Sequence, residues 1–311
     1  MTSETNVIPP PSDDCAEWKT REEAFWNDDY LRTMVLPALG LKAGATVLDV
    51  GCGQGGLILE IARLYPGADC VGADFDERLL EDARRRIKDE RLANVRVQLG
   101  DALKLAEFED AAFDVVCCQT LLANVPDPDL AVRQMARVLK RGGVFLAVEQ
   151  WDPGVRALLN NVTTPHRDER WHSEFFRLFR LRNEGRKKRG DGDDQAGLRV
   201  AFMASAAGLE VIDVRLNDHV SFAFEGKNEG ERGYLKFFQC YLHRRFGQAR
   251  TTSPDANILA AGGSESDARR YSDTYPNSAQ EAVNLWKTLQ ADEYQVVFAK
   301  FTFLTFARKP R

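Results

Sequence analysis

The sequence predicts an α/β fold, a doubly wound and mostly parallel sheet with helices on both faces. Three observations predict it. Short apolar strands alternate regularly with helical stretches from Ala45 to about Glu149, the pattern of a parallel sheet covered on both sides. The first strand runs into a glycine-rich turn, Val47-Leu48-Asp49-Val50-Gly51-Cys52-Gly53-Gln54-Gly55-Gly56, and then into a helix. Acidic residues stand at the ends of successive strands, where sheets of this kind hold their ligands.

Taken in order, residues 1–14 carry Pro9 to Pro11 among polar residues and read as a flexible lead. Residues 16–39 read as a helix bearing Trp18, Phe25, Trp26 and Tyr30, aromatics suited to packing on a domain or to covering a ligand. Strands are expected at 45–50, 69–74, 95–99, 113–118 and 143–149, and helices at about 55–65, 76–90 and 128–140. In the glycine turn, Gly51 and Gly53 let the chain bend and let a ligand lie against the main chain. The helix opening near Gly55 points unpaired N–H groups and the positive end of its dipole at that ligand. Asp49 adds a negative charge on the other side, so the turn suits a ligand with an anionic and a cationic end. Gly51, Gly53 and Gly56 also spell G-x-G-x-x-G, the dinucleotide fingerprint, which taken alone is a weak signal.

Asp74 ends the second strand and can accept hydrogen bonds from both hydroxyls of a ribose, an arrangement that nicotinamide enzymes share. Asp101, after the third strand, can accept from an exocyclic amine while the Ala102 N–H donates to a ring nitrogen. Each acid taken singly is equally a helix cap or a solvated turn. Three of them at three strand ends point to a nucleoside. The fourth strand leads through Gln119 to a helix with Leu130, Met135, Val138 and Leu139 on one stripe, and Lys140-Arg141-Gly142-Gly143 reads as its stop.

Beyond the fifth strand the alternation breaks. Residues 197–209 read as a helix with a glycine stop, and segments near 209–223 and 294–308 alternate as strands. Two insertions, 151–195 and about 224–292, exceed ordinary connections and are expected to cap the sheet and shape a substrate pocket. Gly230 to Gln248 is the best helix candidate there, and 250–278 reads as an irregular loop. The basic run Arg177 to Arg189 reads as a solvated helix rather than a nucleic-acid site, with Asp191, Asp193 and Asp194 partly neutralising it. His166 and His172 lie in the first insertion without the spacing of metal ligands.

Composition is that of a soluble enzyme. A net charge of −5 on 311 residues argues against a general polyanion binder. The six cysteines, at 15, 52, 70, 117, 118 and 240, show neither a disulfide framework nor zinc spacing, and no metal is expected. The N-terminus lacks the regions of a signal peptide, and no apolar run approaches the roughly 18 residues of a membrane span. A cytoplasmic, reduced setting without membrane partners is expected.

The longer motif D-x-G-x-G-x-G, Asp49 to Gly55 behind a Val/Leu strand, resembles the first motif of the class I S-adenosylmethionine (SAM)-dependent methyltransferases. V-L-D-V-G-C-G at 47–53, V-G-A-D at 71–74, G-D-A at 100–102, F-D-V-V at 113–116 and L-K-R-G-G at 139–143 follow in order. Together they are similar to the core of the small-molecule, type 11-like methyltransferases over roughly residues 40–150. The resemblance implies a seven-stranded, Rossmann-like sheet with an antiparallel C-terminal edge strand, built from 15–150, 196–223 and 293–311, and a helical cap from 151–195 and 224–292. It implies SAM as cofactor and S-adenosylhomocysteine (SAH) as its product. Gly51 and Gly53 would lie against the methionine part, with Asp49 near its amino group and Gln119 close by. Asp74 would hold the ribose, Phe75 would pack on the adenine, and Asp101 and Ala102 would read its edge. Gln54 stands where the family often has a small or hydroxylated residue, and no loss of function is read from it.

The activity implied is methyl transfer to an O, N or C nucleophile of a small organic acceptor, natural products included. Glu149, His166, Tyr241 and His243 are the candidates for a general base. An NAD-dependent oxidoreductase and a non-catalytic SAM- or SAH-binding protein stand as alternatives. The alternating tail disfavours the first, since a dinucleotide dehydrogenase more often continues with another βαβ half. Nucleic acid is not expected as a partner, and a homo-oligomer stays open.

Overall fold

The computed structural model describes residues 30–151, 159–160, 168–217, 220–223, 254–274, 287–288, 296–299 and 301–311. The lead at 1–14, the aromatics Trp18, Phe25 and Trp26, and the helix expected from Gly230 to Gln248 lie outside them. The described strands are β1 (Thr46–Val50), β2 (Asp69–Asp74), β3 (Val95–Leu99), β4 (Phe113–Gln119), β5 (Leu139–Gln150), β6 (Leu159–Asn160), β7 (Glu210–Leu216), β8 (Val220–Ala223), β9 (Val296–Ala299) and β10 (Thr302–Arg308). The longer helices are α1 (Gly56–Leu64), α2 (Glu77–Asp89), α3 (Pro128–Val138), α4 (Glu169–Arg189), α5 (Ala196–Ala206), α6 (Ala256–Ala260) and α7 (Glu265–Thr274). Two compact units hold these elements.

The first unit is a seven-stranded sheet in the order β3-β2-β1-β4-β5-β10-β7. The strands from β3 to β5 pair in parallel, and β10 runs antiparallel between β5 and β7. This is the fold class expected, except that the antiparallel C-terminal strand, β10, lies inside the sheet rather than at its edge, which β7 takes. Strand order reverses between β1 and β4, so a crevice opens at their carboxyl ends.

Local chemistry explains the elements. Asp76 caps α2 by accepting from the Arg78 N–H, and Asp127 caps α3 by accepting from the Leu130 N–H at 2.8 Å, with Pro128 at the first helical position. Helix α3 then buries Ala131, Val132, Met135 and Val138 in a core with Leu48, Val116, Phe145 and, from α5, Val200 and Met203. Asp127→Ala is expected to lower stability by about 1 kcal/mol in urea unfolding; an unchanged midpoint would show that the cap is redundant.

Several expectations need correction. Helix α3 ends at Val138, and Lys140 to Gly143 already belong to β5 rather than closing the helix. Lys309 Nζ donates to the carbonyls of Ala136, Arg137 and Leu139 at 2.8, 3.2 and 2.8 Å, which caps the helix from another strand and frees the next residues to pair. The segment at 31–38 is a π-helical turn, Leu31–Val35, running into Leu36–Ala38, where a plain α-helix was read. Pro37 has no N–H for the α ladder, and the Leu36 N–H bonds to the Leu31 carbonyl instead. Lastly, the two alternating segments of the tail each divide. β7 and β10 belong to the large sheet, whereas β8 and β9 pair with each other elsewhere. Thr302 of β10 pairs with Gln150, where β5 ends, and the Phe301 carbonyl accepts the Trp151 N–H at 2.8 Å just beyond that end.

The second unit contains the three-stranded sheet β6-β9-β8 and a helical cluster. Phe175, Leu178 and Phe179 of α4 pack on Ile258, Ala268 and Tyr271 of α6 and α7. At Gly185 a side chain would collide with the Asn257 carbonyl, which brings α4 and α6 into close contact. The basic run is thus the C-terminal part of α4, with charges partly answered, Arg177 by Glu174 and Asp267 and Arg182 by Asp255. The irregular loop expected at 250–278 holds α6 and α7. Asp255 accepts from the Asn257 and Ile258 N–H groups, and Ser264 and Asp267 cap each other across the start of α7, a capping box written in Ser264-Glu-Ser-Asp267. No helix among the described residues is long and apolar enough to cross a membrane.

Candidate cofactor site

The glycine turn is built as its residue types dictate. Gly51, Gly53 and Gly55 have φ of +72°, +53° and +89°, a region that side chains disfavour. The Gly51 and Cys52 N–H groups both donate to the Ala73 carbonyl, at 2.7 and 3.1 Å, which ties the turn to β2. Among the described residues, nothing lies within 4 Å of the place a Cβ on Gly53 would take, so on that side they leave the turn open to a ligand. The Gln54 side chain is engaged with α2, its Nε2 donating to Asp82 at 2.8 Å.

Asp49 and Asp74 are both buried. Asp74 Oδ2 accepts the Gly53 N–H and Oδ1 the Asp76 N–H, each at 2.9 Å. One carboxylate therefore joins the turn after β1 to the end of β2 and keeps acceptor capacity on both oxygens. The charge on Asp49 is felt locally. Burial first, then Asp49, pushes the Cys117 thiol well above its ordinary value. Cys52, Cys70, Cys117 and Cys118 are all buried free thiols, which act as small apolar residues.

Phe75, next along, is 81% exposed, an aromatic face presented at the end of β2. Asp101 accepts the Leu103 N–H at 2.9 Å and pairs with Lys104 at 3.0 Å. The N–H first and Lys104 second hold its carboxyl below the usual range, so it stays an acceptor. Ala102 follows in the same turn. Gln119 closes β4 and is half-buried. All eight residues expected to hold the cofactor thus stand at the carboxyl ends of four adjacent strands.

The general-base candidates fare differently. His166, Tyr241 and His243 lie outside the described residues. His172 is on α4 of the second unit, its ring 5.1 Å from that of Trp171. Glu149, at the end of β5, is 0% exposed. Its Oε1 accepts the N–H groups of Leu121 and Leu122, both at 2.8 Å. Burial pushes its carboxyl up to about 7, against the downward pull of the Leu122, Leu121 and Ala123 N–H groups. It is therefore engaged with the loop after β4 rather than presented to an acceptor.

That loop carries features the sequence reading missed. Thr120 has a φ of +56°, an outlier for a β-branched residue. A Cβ on Gly51 would stand 2.6 Å from Leu121 Cδ1, so Leu121 presses on the glycine turn. Gly192 packs so closely on the loop that a side chain would collide with the Ala123 carbonyl. Backbone angles and loop-to-loop contacts leave no mark on residue type, save that glycine is required at 51 and 192.

Residues 41–179 match a family described as a methyltransferase domain. The demethylmenaquinone methyltransferase of Staphylococcus aureus (strain JH9) is 37% identical over 131 residues, 42% of this chain and 53% of that protein. The chain thus spans about half the length of the curated relatives it matches. Among solved structures, the YcgJ protein from Bacillus subtilis superposes with a TM-score of 0.51 at 22% identity, covering 90% of this chain and 97% of that one. The (4+2)-cyclase SpnF gives 0.52 at 21% identity, covering 91% and 80%. At that identity these two share the fold, and one fold hosts several chemistries.

Proposed function

We propose that this chain, whose residues 41–179 match a family described as a methyltransferase domain, is a SAM-dependent methyltransferase acting on a small organic acceptor. One observation carries the reading. Asp49, Asp74 and Asp101 stand at the ends of β1, β2 and β3 around a glycine turn with an open side. That set fits a ligand with an amino group, a ribose and an adenine. Asp49 and the start of α1 would face its amino acid part, opposite in charge to its ammonium and carboxylate respectively. Asp74 would accept from the ribose hydroxyls, Phe75 would cover the adenine, and Asp101 with the Ala102 N–H would pair with its edge.

The cofactor brings a methyl group on a sulfonium, already a good leaving group. The protein's task is then to hold an acceptor in line with that methyl. Such positioning supplies roughly 7–11 kcal/mol of barrier lowering at near-attack distance. Acceptor choice is assigned to the insertions 151–195 and 224–292, and the base, where the nucleophile carries a proton, to His166, Tyr241 or His243.

Calorimetric titration with SAH, with NAD in a parallel cell, tests the cofactor. Binding of SAH alone supports the proposal, and binding of NAD alone replaces it with an oxidoreductase. Labelled SAM with a panel of acceptors, demethylmenaquinone first because of the Staphylococcus relative, then separates an enzyme from a protein that only binds the cofactor. Phe75→Ala is expected to weaken SAH binding by roughly threefold to tenfold, the worth of one aromatic contact. Undiminished affinity would place the adenine elsewhere.

A further inference from the structure

We infer that Glu149 is a positioning residue that latches the strained loop after β4 against the glycine turn and so shapes the methionine end of the cofactor site. The inference rests on the cofactor reading above and adds a residue to it. The geometry has three parts. Glu149 Oε1 takes two consecutive N–H groups, those of Leu121 and Leu122, at 2.8 Å each. The residue just before them, Thr120, holds a left-handed backbone with φ of +56°, which costs energy and persists only where its surroundings enforce it. The residue so held, Leu121, closes on the spot where a Cβ of Gly51 would be, 2.6 Å from its Cδ1.

The carboxyl is wholly buried, and its second oxygen, Oε2, has no hydrogen-bond partner among the described residues. A group placed to meet solvent or an acceptor would not be sealed in this way. An apolar residue would fill the space as well but would leave two N–H groups unanswered. Glu149 thus serves the loop, and through Leu121 it serves the turn that carries Gly51 and Gly53.

The test uses the full chain with Glu149→Gln and Glu149→Met. Two readouts are taken, calorimetric affinity for SAH and hydrogen exchange of the Leu121 and Leu122 amides. Glu149→Met should weaken SAH binding by roughly 10- to 100-fold and speed exchange at both amides. Glu149→Gln, which keeps an oxygen at the Oε1 position, should restore affinity to within about threefold of the parent, since the acceptor is what matters. Equal affinity in all three proteins overturns the inference, as does an equal loss in both variants. If Glu149→Met does not fold, Leu121→Ala decides. It should cost roughly tenfold in SAH affinity with the fold kept, and an unchanged affinity overturns the inference. Should the parent itself ignore SAH, the cofactor reading fails, and amide exchange alone then judges the latch. Unaltered exchange in Glu149→Met overturns it.

Discussion

Replacing Asp74 with alanine is expected to weaken SAH binding by roughly 100-fold or more while leaving the chain folded. The carboxylate has two sets of partners. Its oxygens already take the Gly53 and Asp76 N–H groups at 2.9 Å, and in the proposed complex they also take the ribose hydroxyls. Hydrogen bonds to a charged group contribute about 1.5–3 kcal/mol each. Loss of the two ribose bonds therefore amounts to at least about 3 kcal/mol, the origin of the 100-fold figure. The glycine turn also loses its tie to the end of β2, which adds a cost of ordering when ligand binds. Asp74→Asn keeps one oxygen and should fall between. Calorimetry on protein with native circular dichroism checks the series. Equal affinities for parent and alanine variant would remove the ribose from this strand end and with it the assignment of the site.

Stability should fall by up to about 3 kcal/mol as pH rises from 5 to 8, because of one buried group. Burial raises Glu149 from its ordinary 4.5 to about 7. Between those values the folded protein keeps a proton that the unfolded chain has released. Unfolding then releases a proton, and stability declines as pH rises through that window. The contribution is complete below 4.5 and gone above about 7. The carboxyls of Asp114, Glu174 and Asp267 are held low and work in the opposite sense, with stability present above their unfolded values and lost in acid. Their effect lies below the window. The buried thiols of Cys117 and Cys118 are raised and act above it. Urea unfolding of the parent and of Glu149→Gln at pH 5, 6, 7 and 8 isolates Glu149, since the histidines are common to both. The parent should show the extra decline and the glutamine variant should not. Parallel profiles would mean that Glu149 is charged throughout.

Much of the first unit could be read directly because its signals are local. Strand ends at 69–74 and 95–99 coincide with the observed ones, since alternation, glycine and acidic residues mark them within a few positions. Asp49, Asp74, Phe75 and Asp101 could be placed for the same reason, as strand ends in a parallel sheet are where ligands lie. In 250–278 the polar, glycine-bearing composition points to a loop, whereas Ser264 and Asp267 mark a helix start that the structure shows. Lys309 could not be found at all from its neighbours. It caps a helix more than 170 positions away, a partnership set by the sheet order.

The amino-acid sequence by itself determined the parallel sheet, the glycine turn and the ladder of acids around it, for these depend on residues adjacent in the chain. Only the tertiary structure decided that β10 enters between β5 and β7, that the tail divides between two sheets, and that Glu149 faces inward to a loop. Those outcomes depend on which groups distant in sequence are left to pair with one another. Burial, which turns an ordinary strand-end acid into a latch with a shifted pKa, is a property of everything packed around it and not of the residue itself.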